Sequence, residues 1–318
     1  MHIAVTGATG FVGGAIVEHL GAAGHDVLAI GRRARPANFR HRYVAWDLAA
    51  DGPPPPDLAA CEAVVHAAAQ VAPWGPEAPF RRVTVAGTER LLGAIDPGAR
   101  LVVIGSASVY DPRIPYTDAL ERDAPVEAKR YLNAYARAKA DQERMVLAAR
   151  TDAVVLRPRA VWGPGDSNLL SRILAGVRGG FLPLPAGGRH PMSTTHISSL
   201  AEAVVAAIER PAVAGPLNVA DATPTTAAGL LRTLFEALGM SVHIVAVPAQ
   251  LAWAAAGAAE GLWHVTRRRD EPPLTRYAVA GLARPFTLDL TRLHEELGVH
   301  PDVDVRRAAH ELAVTARQ

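Results

Sequence analysis

Short apolar runs alternate with longer stretches of helical periodicity along the first half of the chain. The apolar runs predict strands at residues 3–5, 27–30, 42–46, 63–66, 101–105 and 153–156. Apolar positions spaced three and four apart predict helices at residues 11–23, 80–95 and 133–149. Strands and helices that alternate in this way are typical of an α/β protein, in which helices cover both faces of a parallel sheet.

The pattern changes after Leu156, where proline and glycine become frequent. This loop-rich stretch surrounds a predicted helix at residues 169–177, and it is followed by a helix at 199–208, a strand at 217–219 and a helix at 227–238. The remainder is mostly helical in pattern. We therefore expect a doubly wound domain made of residues 1–160 and about 192–222, and a substrate-binding lobe made of about 161–191 and 223–318.

Three glycines lie between the first strand and the first helix. Gly7 allows a tight turn, Gly10 lets the backbone approach a pyrophosphate, and Gly13 lets the helix pack closely on the sheet. The unpaired N–H groups at the helix start would face the phosphates. A glycine-rich turn without a ligand is the alternative, but the flanking strand and helix favour a Rossmann-type dinucleotide site. Its predicted residues are Gly7, Thr9, Gly10, Phe11, Val12 and Gly13.

The second strand ends at Ile30 and is followed by Gly31, Arg32 and Arg33, without the carboxylate that binds the ribose 2′-hydroxyl in NAD-specific versions of this fold. Two guanidinium groups can instead bind a 2′-phosphate. The sequence therefore favours NADP over NAD, and the alternative is a solvated basic loop.

Two further strand ends carry candidate cofactor contacts. Asp47 and Leu48 close the third strand, where the carboxylate either accepts from the adenine amino group or forms a turn. The small residues Ala67, Ala68 and Ala69 end the fourth strand and leave room for a flat cofactor.

The candidate chemistry lies at Ser106, Tyr135 and Lys139. A spacing of four places Tyr135 and Lys139 on one helical face, where a nearby ammonium group favours the phenolate and lowers the tyrosine pKa. Such a tyrosine can exchange a proton with a carbonyl oxygen as hydride is transferred. Ser106 ends the fifth strand, where its hydroxyl group can hold the same oxygen, and Ser108 is either a second contact or a turn residue.

Composition excludes several classes of function. The formal net charge of +2 gives no electrostatic reason to expect nucleic acid, and the single cysteine, Cys61, excludes an intramolecular disulfide. Met1 leads directly into the first strand, and the longest apolar helix candidate, residues 251–259, is far short of the roughly 20 residues that span a bilayer. We expect a cytoplasmic protein with a small-molecule substrate and no metal.

Taken together, these motifs resemble the extended short-chain dehydrogenase/reductase family over nearly the whole chain. Trp74-Gly75 and the segment from Trp162 to Asp166 are similar to its 3-beta-hydroxysteroid dehydrogenase-like, epimerase-like branch, to which reductases of long-chain 2-alkyl-3-oxo acids belong. The resemblance implies that Ser106, Tyr135 and Lys139 form the catalytic triad and that Lys139 also binds the nicotinamide ribose. It further implies that Pro158 and Val161 lie near the nicotinamide, and that the chain forms a homodimer through helices 80–95 and 133–149. Thr84 and Asp111 depart from the usual asparagine and glycine.

We therefore predict an NADP(H)-dependent ketone reductase or alcohol dehydrogenase with an apolar pocket. The candidate pocket residues are Trp74, Ser108, Trp162, Phe181, Met192 and Trp253. Trp253 lies on an apolar helix at residues 249–262, which is either part of the core or a lid over the substrate. One alternative is a nucleotide-sugar epimerase, whose diphosphate Arg172, Arg178 and Arg189 would bind. The other alternative is a non-catalytic NADP-binding regulator, against which the intact Ser–Tyr–Lys set argues.

Overall fold

The computed structural model describes residues 1–37, 39–166, 168–268 and 270–315, with the backbone alone at 168–171. Its strands are β1 (His2–Thr6), β2 (Asp26–Gly31), β3 (Arg42–Ala45), β4 (Ala63–His66), β5 (Arg100–Ile104), β6 (Tyr116–Ala119), β7 (Val154–Pro158), β8 (Val161–Trp162), β9 (Phe181–Pro185), β10 (Pro191–Met192), β11 (Thr195–His196), β12 (Gly215–Val219), β13 (Thr225–Thr226), β14 (His243–Val247) and β15 (Phe286–Leu288).

The helices lie between these strands and dominate the last third of the chain. They are α1 (Phe11–Ala22), α2 (Glu77–Phe80), α3 (Gly87–Leu92), α4 (Ala134–Ala149), α5 (Asn168–Gly176), α6 (Ile197–Glu209), α7 (Ala227–Leu238), α8 (Ala249–Val265), α9 (Arg276–Leu282), α10 (Thr291–Glu295) and α11 (Val305–Thr315). Within the described ranges, none of these helices has the length and apolarity needed to cross a membrane.

A seven-stranded parallel sheet organises the molecule, in the order β3-β2-β1-β4-β5-β7-β12. The predicted α/β fold is therefore confirmed. Successive strands are added on one side of β1 and then on the other, so the direction of winding reverses between β1 and β4. In sheets of this kind a ligand binds at the carboxyl ends of the strands, in the crevice where the winding reverses.

Two apolar cores cover the two faces of this sheet. On one face Ile3 and Val5 of β1 pack with Ile16 and Leu20 of α1 and with Leu200 of α6. On the other face the alternate residues of β1, β4 and β5 pack against side chains from α3 and α4. Burial on both faces explains why the strands read as continuous apolar runs rather than as alternating ones.

The predicted helix at residues 80–95 is divided into three parts. The chain forms α2, then a π-helical segment at Arg81–Ala86, and then α3. The wider π-turns often occur at functional sites. Here the π-helical segment carries Thr84, whose hydroxyl group accepts a hydrogen bond from the backbone N–H of Gln70 at 3.1 Å.

The second lobe is built from short strands as well as helices. A four-stranded sheet, in the order β13-β10-β15-β6, joins residues from four distant parts of the chain, and β9 pairs with β14. Helices α7 and α11 pack together over β9 through Leu231, Phe235 and Leu312. The strand β6 comes from within the predicted first domain, and the predicted division of the chain into two domains stays a prediction.

Candidate active site

The glycine loop closes tightly against the end of β4. Gly7 has a φ of +71°, and a Cβ atom at this position would lie 2.8 Å from the backbone nitrogen of Ala68. A Cβ atom on Gly13 would lie 2.2 Å from the carbonyl oxygen of Gly7. Both positions therefore require glycine, and the two strand ends that flank the reversal of winding touch each other.

The start of α1 fits an anionic group. Its first N–H groups have no partner within the helix, and its first turn contains no acidic side chain that would compete for them. Phe11 stands at this end and lies close to Gly165 of the following lobe. The loop therefore fits the pyrophosphate of a dinucleotide.

The predicted adenosine contacts lie on the same edge of the sheet. Arg32 and Arg33 are exposed after β2, and neither forms an ion pair with a carboxylate of the described residues. The Oδ1 atom of Asp47 accepts a hydrogen bond from the N–H of Ala49 at 2.9 Å, which is the turn geometry that the sequence left open. Leu48 is buried in the core, and an adenine contact for Asp47 stays a prediction.

Ser106 and Tyr135 meet at the carboxyl end of β5. Ser106 caps a short 3₁₀ turn, where its Oγ atom accepts from the N–H of Ser108 at 3.1 Å. Tyr135 lies near enough to Ser106 for the serine hydroxyl group to affect the pKa of the phenol. Ser108 is buried, and its Oγ atom has no partner among the described residues. The site thus brings the hydroxyl groups of these three residues to one end of β5.

Tyr135 is a neutral phenol in this structure. Burial raises its pKa above the ordinary value of 10.0, and the hydroxyl group of Ser106 only partly offsets this effect. Lys139 is not among the causes of this shift. Its Nζ atom donates to the carbonyl oxygen of Ile104 at 2.8 Å and to the Oε1 atom of Gln142 at 2.9 Å.

Lys139 lies at the end of a buried chain of polar groups that sequence reasoning missed. The Nε2 atom of Gln142 donates to the Oγ1 atom of Thr88 at 2.8 Å, and Thr88 contacts the Nε2 atom of His66 at the same distance. The Nδ1 atom of His66 lies 2.7 Å from the Oγ1 atom of Thr6 in β1. The chain thus runs from Lys139, the predicted catalytic lysine, to the strand that leads into the glycine loop.

The direction of every bond in this chain follows from Thr88. Its hydroxyl group donates to the carbonyl oxygen of Thr84 at 2.6 Å, so it can only accept from His66 and Gln142. His66 is therefore protonated at Nε2, and its Nδ1 atom accepts from Thr6. Burial, followed by the charge of Lys139, lowers the pKa of His66 to about 3, which keeps the ring neutral.

A buried ion pair joins α4, the helix that carries Tyr135 and Lys139, to β7. The guanidinium group of Arg157 in β7 binds both carboxylate oxygens of Glu143, which lies one turn after Lys139. Burial lowers the pKa of Lys139 to about 7, although the charge of Glu143 acts in the opposite direction. The i, i+3 and i, i+4 spacing from Lys139 is the sequence signal that could have identified Gln142 and Glu143.

The candidate pocket residues do not all lie together. The ring of Trp74 lies against His264 of α8 with 4.9 Å between ring centroids, and Trp253 packs on the inner side of the same helix. Trp162 is fully buried in the core of the second lobe, and Phe181 is 53% exposed. Met192 is buried in β10. A pocket wall made by these residues stays a prediction.

The apolar helix α8 is covered on one face. Ala252 and Ala256 pack against Val279 of α9, whereas Leu251 and Val265 are exposed. One face is therefore core, as predicted, and a lid role for the other stays a prediction.

Comparison with known proteins places the chain among nucleotide-dependent enzymes. A model of the NAD dependent epimerase/dehydratase family matches residues 3–220. The chain is 30% identical to a 2-alkyl-3-oxoalkanoate reductase of Stenotrophomonas maltophilia (strain K279a), over 99% of both chains. It is 29% identical to a 4-hydroxy-2-methyl-3-oxo-4-farnesyl-3,4-dihydroquinoline-1-oxide ketoreductase of Stigmatella aurantiaca, covering 94% of this chain and 91% of that protein. The structure of UDP-glucuronic acid 4-epimerase from Bacillus cereus in complex with NAD has the same fold, with a TM-score of 0.74, 18% identity and coverage of 100% and 99% of the two chains.

Proposed function

The chain belongs to the NAD dependent epimerase/dehydratase family, and from this premise we propose that it reduces a ketone, or oxidises the matching secondary alcohol, with a nicotinamide dinucleotide. The observation that carries the proposal is that Ser106 at the end of β5 lies near Tyr135 of α4, one turn before Lys139, whose Nζ atom donates to Ile104 of the same strand. Two relatives whose names describe reductases of oxo compounds support it. In the balanced reaction a ketone, NADPH and a proton give a secondary alcohol and NADP⁺.

Each residue of the site has a distinct role in this proposal. When bound, the nicotinamide supplies or accepts the hydride. Tyr135 donates its phenolic proton to the carbonyl oxygen, and Ser106 holds that oxygen in place. An ammonium group has three donors, and Lys139 uses two of them for Ile104 and Gln142, so the third is left for the nicotinamide ribose.

Tyr135→Phe tests the proposal directly. Loss of the general acid should lower turnover by about 100- to 10,000-fold, while the affinity for NADPH should stay close to that of the wild type. The control is Tyr131→Phe, which removes another phenol hydroxyl group, one that donates to the carbonyl oxygens of Val109 and Val126. This control should keep its turnover. A Tyr135→Phe enzyme with near wild-type activity would disprove the role of the tyrosine.

We propose NADP as the preferred cofactor because Arg32 and Arg33 follow β2 without a neighbouring acid. Each charge-assisted hydrogen bond contributes about 1.5–3 kcal/mol. The double variant Arg32→Ala/Arg33→Ala should therefore bind NADPH at least about tenfold more weakly and NADH almost unchanged, as measured by fluorescence titration. An equal loss for both nucleotides would show that these arginines do not bind the 2′-phosphate.

A nucleotide-sugar epimerase is the weaker candidate. It needs free basic groups for a diphosphate, but Arg172 pairs with Glu271 at 2.8 Å and Arg178 donates to the backbone carbonyl groups of Ala175 and Val177. Micromolar binding of UDP, without turnover of any ketone, would promote this candidate over the reductase.

A further inference from the structure

Arg159 is a cation without a carboxylate partner among the described residues, and it follows β7 at the same edge of the sheet as Ser106. It follows Pro158, the last residue of β7, and its side chain is half-buried. Its guanidinium group donates to the carbonyl oxygens of Ser193 at 3.0 Å and Gly281 at 3.2 Å, and its Cζ atom lies 4.5 Å from the centre of the Phe286 ring. All of these partners are uncharged. Among the described residues, no carboxylate pairs with Arg159.

This arrangement carries a desolvation cost that is offset when a buried arginine pairs with a carboxylate. A cation removed from water without an opposite charge loses solvation that carbonyl groups and a ring face restore only in part. Burial lowers the pKa of Arg159 to about 10, so the group is still charged at neutral pH. Arg157, two residues earlier, shows the usual solution, because it binds the carboxylate of Glu143.

Tyr277 lies near this cation. It stands on α9, one turn before Gly281, whose carbonyl oxygen accepts from Arg159. Arg159 follows β7, the neighbour of β5 in the sheet, so it lies on the edge that carries Ser106. Burial raises the pKa of Tyr277, and Tyr135 raises it further while Arg159 lowers it, so the phenol is neutral. Its hydroxyl group has no hydrogen-bond partner among the described residues. A second phenol and a guanidinium group without a carboxylate partner therefore lie beside the edge of the sheet where the ketone would react.

We propose that Arg159 and Tyr277 bind the carboxylate of an oxo-acid substrate whose ketone is placed at Tyr135. The inference rests on the proposed reductase function and adds a substrate class to it. A guanidinium fork matches a carboxylate in shape and charge. A 3-oxo acid places its carboxylate two carbon–carbon bonds from the ketone carbon, which suits groups that are close to each other. A diphosphate would need more positive charge than one free guanidinium group supplies.

The test compares an acid with its own ester. The wild-type enzyme with NADP⁺ is assayed on a medium-chain 3-hydroxy acid and on the methyl ester of that acid; this direction avoids the unstable 3-oxo acid as a starting material. Arg159→Gln should lower kcat/KM for the acid by about 10- to 150-fold, the value of one charge-assisted hydrogen bond, and leave the ester little changed. The kcat/KM of Arg159→Lys for the acid should lie between those of the wild type and Arg159→Gln, because lysine keeps the charge. Tyr277→Phe should lower kcat/KM by a smaller factor, and for the acid alone.

The control is Arg172→Gln. Arg172 also interacts with Tyr277 but already pairs with Glu271, so this variant should keep the wild-type ratio of acid to ester activity. Equal losses on acid and ester in both Arg159→Lys and Tyr277→Phe would overturn the inference and make Arg159 a structural residue. So would UDP binding that is lost in Arg159→Lys.

The result also separates this inference from the function on which it rests. A wild-type enzyme that oxidises the ester as well as the acid would overturn the carboxylate site and leave the reductase function in place. A wild-type enzyme that acts on neither compound, and on no neutral ketone, would overturn both.

Discussion

Replacement of Lys139 by methionine should change how the stability of the nucleotide-free protein depends on pH. Lys139 is 3% exposed, and burial lowers its pKa from 10.5 to about 7. In the unfolded chain the lysine keeps its ordinary pKa. Between these two values the unfolded chain therefore binds a proton that the folded chain has released, and stability rises with pH across this window.

The two pKa values fix the size of the effect. Relative to a side chain that does not titrate, Lys139 should add about 2 kcal/mol to the free energy of unfolding between pH 7 and pH 9. His66 does not contribute to this change, because its pKa of about 3 lies far below this range. Below pH 7 Lys139 is charged in the folded protein as well, and the cost of burying this charge destabilises the fold.

Urea unfolding at pH 7, 8 and 9 measures this difference. The control is Lys129→Met, since Lys129 is exposed and pairs with Glu127 at 2.8 Å, and this variant should follow the wild type. If the unfolding free energies of the wild type and Lys139→Met run parallel across this range, Lys139 is fully charged in the folded protein and the reasoning is refuted.

Two further substitutions test the loop and the buried ion pair. Gly13→Ala places a methyl group 2.2 Å from the carbonyl oxygen of Gly7, so it should lower the free energy of unfolding by about 1–3 kcal/mol and remove most of the nucleotide affinity. The control Gly261→Ala, whose added methyl group would have no atom within 4 Å, should be neutral or stabilising. Unchanged nucleotide affinity in Gly13→Ala would contradict the loop geometry. Glu143→Gln leaves Arg157 buried without a counter-ion and should lower the free energy of unfolding by about 3–5 kcal/mol, so a loss below 1 kcal/mol would argue that water reaches the pair.

The large sheet could be predicted from the sequence because its strands are buried on both faces. Apolar runs such as Ala63–His66 have sharp ends marked by polar or small residues, and the structure has this strand at the predicted bounds. The short strands of the second lobe carry no such signal. Thr195–His196 has two residues and finds its partner in Val161–Trp162, so its pairing depends on the tertiary fold alone.

The candidate site likewise contains residues that are close in the sequence and residues that only the tertiary fold brings together. Tyr135 and Lys139 are one helical turn apart, so their spacing in the sequence is enough to suggest that they act together. Arg159 and α9, the helix that carries Tyr277, are more than a hundred residues apart in the sequence, and they meet only in the folded chain, where Arg159 donates to Gly281. The π-helical segment at Arg81–Ala86 could not be predicted either, because its residues have ordinary helical periodicity.

The buried polar chain explains how the fold prepares the lysine before a nucleotide binds. The N–H of Ala68, which closely approaches Gly7, donates to the Oγ1 atom of Thr6 at 3.2 Å, and Thr6 in turn donates to the Nδ1 atom of His66. The same chain orients the amide of Gln142, so that its oxygen and not its nitrogen faces Lys139. The loop suited to a pyrophosphate and the ammonium group proposed to bind the ribose therefore belong to one connected set of bonds. Misorientation of any residue in this chain would leave a buried donor or acceptor unpaired. The position of Lys139 is therefore set by the fold rather than by the ligand.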